Sequence, residues 1–261
     1  PGFMPTDWRG CFMVLLLVFV LSGFLDNIAA AMIGGALANT VFKGRVHIGF
    51  LAAIVAASNA GGAGSVVGDT TTTMMWIAGV TPTEVLEAYL ASAVALVVFG
   101  VPAALRQNAY QPIDSQPDAS VHIDWTRVGI VVFILVAAVA VNVTINSKFN
   151  AISDRFPFLG AAVWAAVLLM LPLRRPTWNL LPGAAKGAIF LLSLVWCASM
   201  MPVERLPLAS WQTALGLGFL SAVFDNIPLT ALALAQGGYD WGMLAYAVGF
   251  GGSMIWFGSS A

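Results

Sequence analysis

Residues 58–76 read "SNAGGAGSVVGDTTTTMMW", with glycines, an aspartate and four consecutive threonines inside a stretch, 46–80, that is otherwise apolar. A membrane-spanning helix needs about 20 apolar residues. The stretch is therefore too long for one helix, and it is broken in its middle. Glycine weakens a helix interior and allows backbones to approach closely, while Asp69 directly before Thr70 is a residue type that caps a helix N-terminus. The pattern predicts two helical segments separated by irregular backbone. In a bilayer such a break is tolerated only where it is buried in protein or lines an aqueous cavity.

The rest of the chain supplies the bilayer. Hydrophobic residues make up 59% of 261, charged residues 9%, and the mean hydropathy is +0.88, which predicts an all-α, multi-pass integral membrane protein whose main partner is lipid. A bacterial-type inner (cell) membrane is the expected location. The net charge of −1 and the scattered Lys and Arg leave no basic face for nucleic acid. Cys11 and Cys197 lie in apolar runs without CxxC spacing, so neither a disulfide framework nor a thiolate metal site is indicated. The run from Cys11 lacks the basic flank and small-residue exit of a cleavable signal peptide. A chain that begins at Pro1 and stops within a Gly/Ser-rich apolar stretch is expected to be a fragment of something longer.

Simple spans are predicted near 85–105, 126–146, 157–172 and 187–201. Residues 8–42 form another overlong apolar run, interrupted by Asp26-Asn27. Both irregularities recur. "SGFLDNI" at 22–28 returns as "SAVFDNI" at 221–227, a shift of 199, and Gly61, Gly62 and Gly68 return as Gly251, Gly252 and Gly258, a shift of 190. Two ordered matches predict a duplicated unit. The first repeat covers 8–105 (hairpin 8–43, broken helix 46–80, helix 85–105), a cytoplasmic loop 106–125, linking helices 126–201 and a second repeat 208–261, truncated at its C-terminus. If each Asp-Asn segment is a re-entrant hairpin, five crossings separate the two hairpins and the copies point in opposite directions. Arg9, Lys43, Arg45, Arg106, Arg127, Arg174, Arg175 and Lys186 then fall on one side, against Lys148, Arg155 and Arg205 on the other. That asymmetry puts the base of the first hairpin in the cytoplasm. It does not distinguish re-entrant hairpins from segments that span twice.

Inverted-topology repeats with interrupted helices are a design of secondary transporters, with the site at the breaks. Asp26, Asp69 and Asp225 are the carboxylates inside apolar segments, and ionisable groups at such depth mark function. A carboxylate balanced between burial and a nearby cation can hold a proton or a metal ion in turn. Threonine hydroxyls, asparagine carbonyls and freed backbone carbonyls are hard donors for hard cations. Simpler roles stand beside these: Asp69 as a cap, the glycines as packing sites, and threonines bonding back to their own helix. Thr70–Thr73 fan around the axis at about 100° each, so only one or two can face a common site. The second copy has Ser259, followed by Ser260, where the first has Asp69. His47 and His122 are expected to be solvated at the membrane edge, and Glu84 and Glu87 complement a helix start. Trp8, Trp125, Trp178, Trp211 and Trp241 fall near predicted membrane edges.

"SGFLDNIAAAMIGGALA", "SNAGGAGSVVGDTTTTMMWI", "SAVFDNIPLT" and "GGSMIWFGSSA" resemble the NhaD-type sodium/proton antiporters of the ion transporter superfamily. The resemblance implies a scaffold domain, a transport domain and two opposed hairpins. It also implies cation or proton ligands at Asp26, Asn27, Asn59, Asp69, Thr71 and Thr72 and, in the second copy, Ser221, Asn226 and Ser260. Sodium is expected on Asp69, Thr71 and Thr72. Exchange of sodium (or lithium) for protons by alternating access is the leading expectation. No cofactor beyond the transported ions and no enzymatic activity are expected, and a homodimer is an assembly this reading allows. The alternative is a sodium- or proton-coupled carrier of dicarboxylates or oxyanions. Acidic groups and no Lys or Arg at the breaks argue against it. An intramembrane aspartyl protease is disfavoured, because no Tyr precedes Asp26 or Asp225 and Asp69 follows Val66-Val67-Gly68.

Overall fold

A computed structural model describes residues 5–113, 124–148, 156–200 and 207–254. Among these, every regular element is a helix. The order is α1 (Trp8–Ser22), α2 (Asn27–Val41), α3 (Ile48–Gly62), α4 (Thr70–Ile77), α5 (Pro82–Leu86), α6 (Ala88–Tyr110), α7 (Trp125–Lys148), α8 (Phe158–Met170), α9 (Leu181–Ser199), α10 (Trp211–Ser221), α11 (Asn226–Gln236) and α12 (Trp241–Gly251). Short 3-10 turns lie at Trp178–Leu180 and Gly252–Met254. Two stretches, Pro82–Tyr110 and Trp125–Ile145, are long and apolar enough to cross a membrane. Apolar helices that cannot satisfy their backbones with water are what a bilayer selects.

Several of the other apolar helices are short, for a physical reason visible at their ends. α1 has 15 residues, a length of about 22 Å against a hydrocarbon core of about 30 Å. It stops at Ser22-Gly23, and the chain turns at once into α2, whose N-terminus is capped by the Asp26 carboxylate accepting from Ile28 N–H at 3.2 Å. α3, with 15 residues, and α4, with 8, come to about 34 Å end to end, one bilayer thickness with a gap in it. α10 and α11, 11 residues each, repeat the α1–α2 arrangement. Asp225 caps α11 through Ile227 N–H at 2.9 Å, and its φ/ψ of −58°/143° nearly equals the −53°/143° of Asp26.

Two compact units divide the chain, one of residues 1–117 and 191–261, the other of residues 118–190. The first unit holds two cores. Val14, Leu15, Val18, Phe42, Phe50, Ile54 and Leu96 bring α1, α2, α3 and α6 together. Met75, Val85, Leu229, Leu244 and Val248 bring α4, α5, α11 and α12 together. The halves of the interrupted helix thus belong to different cores, α3 to the first and α4 to the second. In the second unit α7 packs along α8.

The crossing of α1 with α3 and that of α10 with α12 are built from the same contacts. Ser22 Oγ donates to the Ser58 carbonyl, and Ser221 Oγ donates to the Val248 carbonyl. A Cβ on Gly61 would strike the Phe19 carbonyl, and one on Gly251 would strike the Gly218 carbonyl. From the first pair to the second, every residue on the hairpin side moves by 199 and every residue on the broken-helix side by 190. These are the shifts of the sequence matches. Only glycine fits where two helix backbones come this close.

Candidate functional site

The site is assembled at the gap between α3 and α4. Seven residues, 63–69, leave the helix between Gly62 and Thr70. Their backbone groups are recovered by hydroxyls. Thr72 Oγ1 donates to the Ser65 carbonyl, and Thr73 Oγ1 donates to the Val66 carbonyl at 2.9 Å. Ser65 Oγ donates to the Gly23 carbonyl at 2.6 Å and accepts from Gly68 N–H at 3.1 Å. A Cβ on Gly68 would run into the Ser22 carbonyl, so the break rests on the tip of the α1–α2 hairpin. Tyr89, from α6, donates its hydroxyl to the Gly61 carbonyl at 3.0 Å and closes one side.

Asp69 sits at the head of this loop, 4% exposed, and caps α4. Its Oδ2 accepts from Thr71 Oγ1, and its Oδ1 accepts from Thr71 N–H at 3.5 Å. Among the described residues no Lys or Arg pairs with it. A buried carboxylate without a cationic partner is costly. Of the four threonines, only Thr71 turns its hydroxyl to the carboxylate, whereas those of Thr72 and Thr73 hold the loop and Thr70 is exposed.

Amides extend the polar patch away from Asp69. Asn27 Nδ2 donates to Asn59 Oδ1 at 3.0 Å, and Asn59 Nδ2 donates to Ser253 Oγ at 2.9 Å. The three side chains come from the start of α2, the end of α3 and the turn after α12, so one chain of hydrogen bonds ties both halves of the first unit to the break. Asn27 Oδ1 also accepts from Ile28 N–H at 2.9 Å. Asp26, directly before Asn27, is exposed. On the far wall, a Cβ on Gly249 would stand 3.4 Å from Asp69 Oδ2. Gly249 lies 190 residues after Asn59, the shift of the glycine matches.

Asp26, Asn27, Asn59, Asp69 and Thr71 therefore surround one break, with Thr72 behind the loop. Ser221 is buried and bonded to the α12 backbone, and Asp225 caps α11, which packs on α4. Among the described residues neither Asp225 nor Asn226 hydrogen-bonds to the Asp69 group. Ser260 lies outside the described residues. Ser65, Tyr89 and Ser253 belong to the site without having been singled out from the sequence. Ser253 follows the second glycine pair, but the residue 190 positions before it is Ala63. The internal match could not flag it.

Such a site offers one buried carboxylate, a hydroxyl and two amides, oxygen-rich and lacking fixed positive charge among the described residues. It suits a proton or a small hard cation and repels an anion.

No family model matches the chain, and no solved structure does. Curated proteins do. The chain is similar to sodium/proton antiporter 1 of Arabidopsis thaliana, 27% identical over 288 aligned residues covering 95% of this chain and 48% of that protein. It is likewise similar to sodium/proton antiporter 2 of Arabidopsis thaliana, 27% identical over 93% of this chain and 66% of that protein. The Na(+)/H(+) antiporter NhaD of Vibrio parahaemolyticus is 28% identical over the full chain and 72% of its own length. The chain spans about half the length of the first of these relatives. All three are antiporters, as the motif resemblance leads one to expect.

Proposed function

We propose that this chain, a relative of sodium/proton antiporters, is the ion-binding part of a membrane carrier that exchanges sodium (or lithium) for protons by alternating access. The observation that carries the proposal is Asp69: a carboxylate buried at a helix break with oxygen donors beside it and no basic partner among the described residues. Its charge is balanced by a proton in one half of the cycle and by the metal ion in the other. Thr71 and the Asn59 carbonyl complete the cation shell, and Asp26 with Asn27 stands where ions enter from the hairpin tip. Thr72 belongs to the frame of the loop. Ser221, Asp225, Asn226 and Ser260 are assigned to the second copy's share of the pathway.

The same reading makes the chain a pair of inverted repeats, each a re-entrant hairpin followed by a broken helix. It is supported by the paired crossings of α1 with α3 and α10 with α12, by the near-equal cap geometry at Asp26 and Asp225, and by helices too short to span. The protein works in an inner (cell) membrane, and sodium and protons are its substrates.

Purified protein in liposomes carrying an internal pH dye tests this. An inward sodium gradient should drive protons out and make the lumen alkaline. Asp69→Asn keeps a good capping residue, so the helix forms while the charge is gone, and the signal should vanish. Undiminished exchange in that variant would refute the assignment. A signal that requires added dicarboxylate would point instead to an anion carrier.

A further inference from the structure

The second unit contains a cleft of about 320 Å³ between α7 and the end of α8. Its walls are apolar, from Ile134, Val167 and Met170 among others, and its mouth carries Arg127, Arg174 and Arg175. Asp124 is the acid at that mouth: Arg174 Nη1 donates to its Oδ2, and Arg127 Nε lies 3.4 Å from the same oxygen. The Asp124 carboxylate thus pairs with two of the three guanidinium groups, and Arg175 has no acidic partner among the described residues. Trp125 at the start of α7 and Trp178 just beyond the arginines are 72% and 44% exposed. Tryptophans so placed mark the headgroup level of a bilayer. The arginines therefore stand at phosphate depth with an apolar furrow running inward from them.

We infer that this cleft binds one anionic phospholipid, its phosphate held by the arginines and an acyl chain laid along the furrow. Guanidinium groups match phosphate oxygens in pairs. Basic pockets between membrane helices on the cytoplasmic side are suited to acidic headgroups, and the Lys/Arg asymmetry places these three arginines on that side. A plain excess of positive charge needs no furrow beneath it. The inference rests on the chain being a membrane protein and not on which ion it carries.

Delipidated full chain, titrated with dioleoyl phosphatidylglycerol, dioleoyl phosphatidylcholine or glycerol 3-phosphate and read by native mass spectrometry, tests the site. Phosphatidylglycerol should be retained well above the other two. Arg175→Gln removes a charge that no ion pair uses among the described residues, so the fold survives, and retention should weaken on the order of fivefold. Ile134→Trp fills the furrow while leaving every charge in place, and it should also lower phosphatidylglycerol retention. Equal retention of the two lipids, wild-type retention in both variants, or equal binding of glycerol 3-phosphate overturns the inference.

Discussion

Thr71 and Thr72 are neighbours with opposite tasks, and the difference can be measured. The Thr71 hydroxyl donates to the buried carboxylate and that of Thr72 donates to loop carbonyls. A hydrogen bond to a charged group is worth about 1.5–3 kcal/mol, against about 1 kcal/mol for a neutral pair. Thr71→Val should weaken apparent sodium affinity at least about tenfold, whatever it does to the melting temperature. Thr72→Val should lower the melting temperature and leave sodium affinity close to wild type. Transport titrations and thermal unfolding in detergent, run on both variants, decide the matter; the reverse pattern would exchange the two roles. The sequence exposes the carboxylate and the row of hydroxyls because both are rare in apolar surroundings. Which hydroxyl turns inward depends on the path of residues 63–69, and no periodicity encodes that path. Ser253 and Tyr89 were illegible for a related reason: each is a lone polar residue whose partner, Asn59 or Gly61, is distant in the chain.

At the scale of elements, the interruptions were readable. A helix in lipid cannot carry Gly-Gly-Ala-Gly and an aspartate in mid-span without stopping. What the sequence left open was how the pieces dock, and the answer lies in backbone contact at Gly61 and Gly251. Gly61→Ala forces its new methyl group onto the Phe19 carbonyl, and Gly251→Ala forces one onto the Gly218 carbonyl. Backbone cannot rotate aside as a side chain can. Each substitution should cost about 1–3 kcal/mol, visible as a lower melting temperature. Gly35→Ala, where a Cβ meets nothing within 4 Å, serves as the control and should be neutral or slightly stabilising. Comparable losses at Gly61 and Gly251 are expected because the two crossings are built alike, and a neutral Gly251→Ala would remove that equivalence.

For the whole molecule, the proposed inversion predicts where each hairpin opens. Ile48 follows the first hairpin and Leu208 precedes the second; they are 76% and 87% exposed. With the exposed Cys197 replaced by serine, Ile48→Cys and Leu208→Cys should react with a membrane-impermeant maleimide from opposite sides of an oriented membrane. Labelling from one side would leave an even number of crossings between them and end the inverted reading. The orientation expected from counting charges awaits this labelling, whereas the division of α3 and α4 between two cores was not legible, since it depends on which apolar faces meet. The zipped crossings carry a mechanical corollary. Two helices joined by carbonyl-to-glycine contact and a buried serine latch have no slack with which to slide, so α1 with α3, and α10 with α12, travel as inseparable couples. In the proposed cycle, a change of access to Asp69 must therefore leave both crossings intact.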